Sequence, residues 1–277
     1  MIEINKMSFG YRRKPLFSGL DLTLGKGRIY GLLGRNGAGK TTLLKLISGL
    51  LFPEQGSISV LDMIPRRREP GFLNQVFLLP EEFGMPRMEM FRFSKMFGVF
   101  YPNFSASQLD RLMADLDVDP MQPFHQMSFG QKKKAYIAFA IACNTPLLIM
   151  DEPTNGLDIP SKSNFRRVIA SIAQDDRTIV ISTHQVRDLD QLIDSVVILD
   201  DSQILVNAST ADITRRLKFA QPAPGEQSLY SEQTVHGPWG VQPNDTGEET
   251  PLDMELLFNA AITNRQVFRD MFNAPGQ

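Results

Sequence analysis

The chain has 277 residues, 42% of them hydrophobic and 22% charged, with 29 basic against 31 acidic side chains and a formal charge of −2. That composition excludes wholesale disorder, and the near-neutral balance argues against a general nucleic-acid binder, whose domain is usually strongly basic. The single cysteine, Cys143, excludes an intramolecular disulfide framework and points to a reducing compartment, with the thiol expected in a helical core.

In chain order, residues 2–7 and 20–24 alternate as strands do, and Ile29 to Leu33 is an apolar run suited to a strand buried on both faces. A glycine-rich turn and a helical pattern from Thr41 to Ile47 follow at once, with Gly49 placed to stop the helix. Ser57 to Leu61 and Gln75 to Leu79 read as further short strands.

From about 83 to 145 the period becomes helical, giving a helical subdomain. One helix there is expected to start at Ser107 and another near Ser128, running to Cys143. Its Lys132-Lys133-Lys134 reads as a solvated face. The Phe/Met-rich stretch from Met85 to Phe104 reads mostly as subdomain core.

Leu147 to Met150 and Thr178 to Ser182 are expected as buried strands around a helix over about 161–173. Two further strands, 195–199 and 203–206, flank the hairpin turn Asp200-Asp201-Ser202. Residues 221–250, rich in Pro, Gly, Gln, Ser and Thr, read as a linker or loosely built appendage, and Thr250-Pro251 as the opening of a short amphipathic helix.

Charge divides the chain near residue 218. Residues 219–277 hold eight acids and two arginines, a net −6, which leaves +4 for the preceding 218. No stretch approaches the roughly 18 apolar residues of a membrane span, and the first 14 residues lack the apolar core of a secretory signal. A soluble intracellular chain is therefore expected.

The segment from Gly34 to Thr41 matches the phosphate-loop pattern G-x-x-x-x-G-K-[ST], between a buried strand and an amphipathic helix. Gly34, Asn36, Gly37, Ala38 and Gly39 would turn their backbone N–H groups around phosphate oxygens at a helix N-terminus. Lys40 would reach the β- and γ-phosphates, and Thr41, with Thr42 beside it, would face Mg²⁺. The strand ending at Met150 delivers Asp151, a Mg²⁺ ligand, and Glu152, a general base for the attacking water.

Met127-Ser128-Phe129-Gly130-Gln131 then resembles the LSGGQ signature of the ATP-binding-cassette (ABC) ATPases, with Phe129 in place of the first signature glycine. Over about residues 1–210 the order of motifs is similar to that family. Tyr11 resembles its adenine-stacking aromatic, Gly156-Leu157-Asp158 its D-loop, and His184 its switch histidine. The Q-loop place falls on Glu81, 41 residues after Lys40, with Gln75 as the lesser candidate.

The resemblance implies an α/β P-loop NTPase core of the ABC type, with an antiparallel β subdomain, a helical subdomain and a small C-terminal extension. The division expected is a cassette over 1–218 and an acidic extension over 219–277. It further implies an ATPase with ATP and Mg²⁺ as ligands, Glu152, His184 and Lys40 as catalytic groups, and Thr41, Glu81 and Asp151 around the metal. In the family's mechanism two cassettes pair head to tail, as a homodimer or with another cassette. Ser128, Gly130 and Gln131 of one then face the nucleotide of the other, and Asp158 crosses between them.

The implied partner is a separate transmembrane permease, so the subunit is expected to be cytoplasmic and peripheral on the inner face of the cell membrane. Glu81, the altered signature and the closing Pro251 to Phe258 stretch resemble ABC-2-type exporters. The competing readings are a soluble ABC ATPase acting on a nucleic-acid or ribosomal partner and a nucleotide-binding regulator that hydrolyses little. One cassette, no sustained heptads and near-neutral charge weigh against the first, and no nucleic-acid partner is expected. Intact Lys40, Asp151, Glu152 and His184 weigh against the second.

Overall fold

A computed structural model describes residues 1–12, 14–172, 176–188, 192–222, 228–235 and 237–272. In chain order its strands are β1 (Ile2–Tyr11), β2 (Lys14–Leu24), β3 (Ile29–Leu33), β4 (Gln55–Val60), β5 (Val76–Leu79) and β6 (Leu147–Asp151). They continue with β7 (Thr178–Thr183), β8 (Ser195–Asp200), β9 (Gln203–Ser209), β10 (Leu217–Ala220), β11 (Tyr230–Thr234) and β12 (Gly237–Pro243). The helices are α1 (Lys40–Ile47), α2 (Pro70–Leu73), α3 (Met90–Phe97), α4 (Ala106–Asp115), α5 (Phe129–Ala142), α6 (Ile159–Ile172), α7 (Thr210–Arg216), α8 (Met254–Thr263) and α9 (Arg265–Phe272).

The central sheet has the order β5-β6-β7-β3-β8-β9, parallel except for the antiparallel edge pair β8 and β9. Every residue of β3 and β6 is buried, as expected of strands covered on both faces. On one face lie α1 and the antiparallel sheet β2-β1-β4; on the other lie α3 to α6 and the C-terminal elements. β1 and β2 run beyond the expected 2–7 and 20–24. Register shifts in the β1–β2 pairing after Ile4 break the period-2 alternation in these added segments. The β8–β9 hairpin turns at Asp201 and Ser202, whose φ values of 47° and 64° give the left-handed pair that a two-residue turn demands.

Several expected boundaries move. Helix α4 is capped by Ser105, whose hydroxyl accepts from the Gln108 N–H at 3.2 Å, and Ser107 lies inside its first turn. The helix expected over 161–173 is α6; position 173 lies outside the described residues. Residues 221–250 are not merely a linker, since β12 pairs with both β10 and β11 in an antiparallel sheet and buries Val241. Helix α8 is capped by Asp253, whose carboxylate accepts from the Leu256 N–H at 3.0 Å, rather than opened by Thr250-Pro251.

The compositional boundary near 218 has no counterpart in the packing. Phe219, Val241, Met254, Leu257, Ala260 and Phe268 share one hydrophobic core with Leu205, Val206, Ile198 and Ile213. Two polar links reinforce the seam: Arg187 Nη2 meets Glu255 Oε2 at 2.6 Å, and Arg265 pairs with Asp200 and Asp201. Cys143 is buried in the core as expected.

Candidate nucleotide site

In a parallel sheet every strand ends on the same edge, so the loops after β3, β5, β6 and β7 meet there. They enclose a cavity of about 710 Å³. Lys40, Thr41, Thr42, Glu81, Glu152 and His184 line it; so do Tyr11, Asn36, Gly37 and Gly39. The two residues expected for the Q-loop place lie at opposite ends of β5. Glu81 follows the end of β5 and reaches the cavity, whereas Gln75 precedes the strand at the opposite edge and donates from Nε2 to the Gly71 carbonyl at 2.8 Å.

The phosphate loop needs its glycines for a geometric reason. Gly37 and Gly39 hold φ values of 82° and 104°, and a Cβ on Gly39 would stand 2.8 Å from the Phe17 ring. Gly39 is the N-cap of α1, so the loop opens onto the positive end of that helix. Gly34 and Ala38 form the buried back of the loop, and the Gly34 carbonyl accepts from the Lys40 ammonium at 2.7 Å. That ammonium also donates to the Arg35 carbonyl at 3.3 Å and lies 3.6 Å from Glu152 Oε1. Burial pushes Lys40 below the ordinary lysine range, and the carboxylates of Glu152, Asp151 and Glu81 pull it back.

The acidic side is equally ordered. Thr41 Oγ1 donates to Asp151 Oδ2 at 2.7 Å, and the Ser182 hydroxyl donates to Oδ1. Glu152 sits at φ 46°, a left-handed conformation that costs a residue with a Cβ about 1–3 kcal/mol. Its N–H donates to the Ser182 carbonyl and hydroxyl, both at 3.1 Å. His184 Nδ1 stands 2.9 Å from Glu152 Oε1; with a carboxylate accepting, Nδ1 carries the proton. A carboxylate, an imidazole and an ammonium thus face one cavity from three different strand ends.

Among the described residues no group of three or more His, Cys, Asp and Glu side chains could hold a metal. The hydroxyl of Thr41 and the carboxylate of Asp151 are instead suited to Mg²⁺, a hard cation that takes one or two protein oxygens and completes its shell from phosphates and water. Tyr11 lies at the mouth, 48% exposed, its hydroxyl 3.3 Å from Thr42 Oγ1 and its ring edge-on to Phe9.

The remaining expected residues lie elsewhere. Ser128, Gly130, Gln131 and Asp158 do not line this cavity. Ser128 and Gln131 form a reciprocal capping box, the Ser128 hydroxyl accepting from Gln131 N–H and Gln131 Oε1 from Ser128 N–H at 2.9 Å. Phe129 stacks on Phe83 with ring centres 6.1 Å apart and packs against Gly156. The carboxylate of Asp158 accepts from the Ser161 N–H at 2.9 Å, and hydrogen bonding from Ser161 holds it below its usual range.

One expectation fails clearly. Lys132-Lys133-Lys134 is not a uniformly solvated face: Lys133 is fully buried and donates to the Glu152 carbonyl at 2.6 Å and the Asn155 carbonyl at 3.0 Å. Sequence reasoning also passed over Asn155, whose side chain donates to Glu81 at 2.8 Å, and over Ser182 and the bidentate Arg35–Asp200 pair at 2.8 and 3.0 Å.

A phosphate loop after the central strand β3, with the acid-ended strand β6 one strand removed in the same parallel sheet, defines a P-loop nucleoside triphosphatase. Residues 17–155 match the family described as ABC transporter, and the chain belongs to that family. It is an ATP-binding cassette, an ATPase domain of the kind that hydrolyses ATP. A solved ATP-binding subunit of an ABC transporter is 25% identical, with a TM-score of 0.70 over 78% of this chain and 92% of that one. The fluoroquinolones export ATP-binding protein of Mycobacterium tuberculosis is 29% identical over 77% of this chain and 72% of its own length. The nickel import ATP-binding protein NikO of Rhodobacter capsulatus is 29% identical over 80% of this chain and 96% of its own length.

Proposed function

We propose that this cassette energises a separate membrane permease, as an exporter of ABC-2 type, by ATP-driven pairing and hydrolysis-driven release of two cassettes. The observation that carries the reading is the meeting of Lys40, Thr41, Asp151, Glu152 and His184 around one cavity. The phosphate-loop N–H groups and Lys40 bind the phosphates. Glu152, held by Ser182 and hydrogen-bonded to His184, takes a proton from the water that attacks the γ-phosphate. His184 contributes a hydrogen bond to that phosphate, and Tyr11 a stacking face for adenine. Mg²⁺, held by Thr41 and Asp151 with Glu81 beside them, would neutralise charge on the bridging phosphates.

The position of Ser128, Gly130 and Asp158 outside the cavity supports their acting on the nucleotide of a second cassette. Export as the direction rests on the resemblance of Glu81 and the signature to ABC-2 ATPases. Among the described residues no helix is long and apolar enough to cross a membrane.

A second cavity, about 1080 Å³, supports where that permease docks. It is lined by Phe77, Met85, Phe97, Phe100 and Tyr101 and rimmed by Val99, which is 76% exposed. An open apolar groove of this size suits the apolar face of a partner helix. Because Cys143 is buried, Val99→Cys provides one accessible thiol for a photocrosslinker in native membranes. The adduct is expected to contain a polypeptide with several membrane-spanning helices. A ribosomal or other soluble protein in its place overturns the transporter reading in favour of a soluble ABC ATPase.

A further inference from the structure

The lysine following the signature has a place in the site that its neighbours do not. Lys133 lies on α5, one turn beyond Ser128, and its ammonium crosses to the loop after β6. It donates to two backbone carbonyls three residues apart, those of Glu152 and Asn155. These bracket the turn that begins at the left-handed Glu152 and leads into Gly156-Leu157-Asp158. On its other side the Glu152 peptide is held through its N–H by Ser182. Asn155 in turn donates from its side chain to Glu81. One ammonium thus connects the signature helix, the peptide of the base, the start of the D-loop and the acid at the Q-loop place.

Burying a lysine is costly, and desolvation pushes this one below its ordinary range while Glu81, Glu152 and Asp151 pull it back. An apolar side chain of similar length would avoid that cost, but it would leave two backbone carbonyls without this donor. Its presence is therefore better explained by what it holds in place.

We propose that Lys133 is a positioning residue for hydrolysis: it fixes the Glu152 backbone from the signature helix, so that movement of that helix is passed to the base of the same chain. The inference rests on Glu152 as the base. It adds a route by which the half-site given to a partner's nucleotide acts on the half-site the chain uses itself.

The test compares Lys133→Met, Lys133→Gln and Glu152→Gln in the full 277-residue chain. ATP affinity, single-turnover hydrolysis and backbone hydrogen exchange over residues 152–158 are measured. Lys133→Met is expected to bind ATP within about threefold of wild type, to lose about thirtyfold in turnover, and to exchange faster in that segment alone. Turnover within about threefold of wild type overturns the proposal, as does an equal loss of affinity and turnover. Should Lys133→Met not fold, Lys133→Gln, which keeps one neutral donor, decides. Turnover below about one third of wild type at unchanged affinity supports the role, and a higher value overturns it. Glu152→Gln separates the two readings. If it still turns over ATP, the base assignment itself fails; if it does not while Lys133→Met does, only the role of Lys133 fails.

Discussion

Glu152→Gln is expected to lower ATP turnover by about 10²–10⁴-fold while ATP binding persists and the paired form accumulates. Glutamine has the shape of glutamate and keeps an oxygen for the His184 Nδ1 hydrogen bond at 2.9 Å, so the site should hold together. It cannot accept the proton of the attacking water. Removing the carboxylate also frees Lys40 from its 3.6 Å ion pair, which leaves the ammonium more available to phosphate. Steady-state hydrolysis and size-exclusion chromatography with ATP check both parts. Turnover within about threefold of wild type would sink the assignment of Glu152.

Removal of residues 219–277 is expected to abolish cooperative folding, and ATP binding with it. From motif order alone the opposite follows, since every nucleotide motif precedes residue 219. Packing reverses that expectation. Phe219, Leu257 and Phe268 belong to the core that covers one face of the central sheet, and truncation would leave Leu205, Val206 and Ile213 facing water. Asp200, buried between Arg35 and Arg265, would lose one of its two arginines. A milder probe is Phe268→Ala, for which a fully buried phenylalanine predicts a loss of about 3–5 kcal/mol by denaturant titration. A truncated chain that melts cooperatively and binds ATP normally would show that the cassette folds without these residues.

What was legible in the sequence was what is local. The phosphate loop, the acid pair and the capped signature helix each lie within a few consecutive residues, and the buried strands β3 and β6 are continuous apolar runs. Glu81 could be preferred over Gln75 because a parallel sheet presents only the C-terminal ends of its strands to the site. β11 and β12 were hidden because prolines, glycines and polar residues supply most of their positions and burial falls mainly on Val241 and its neighbours.

Lys133 was missed although a signal exists. Three successive helical residues sweep about 200° around the axis, so Lys132, Lys133 and Lys134 cannot share one solvated face. Lys133 stands one turn before the buried Ile137 and faces inward with it. The packing of residues 219–277 was hidden for a different reason: charge reports what faces water and says little about the apolar side chains beneath.

The capped signature and the cavity lie apart on the same chain, and this has a consequence for the rate law. If the γ-phosphate is held by contacts from two chains, a solitary cassette is only half an enzyme, and dilution acts on it as an inhibitor does. Specific activity should then rise with protein concentration until pairing saturates. A permease that carried two cassettes, as proposed, would remove that dependence by raising their local concentration, and would so set the turnover rate before any cargo is bound.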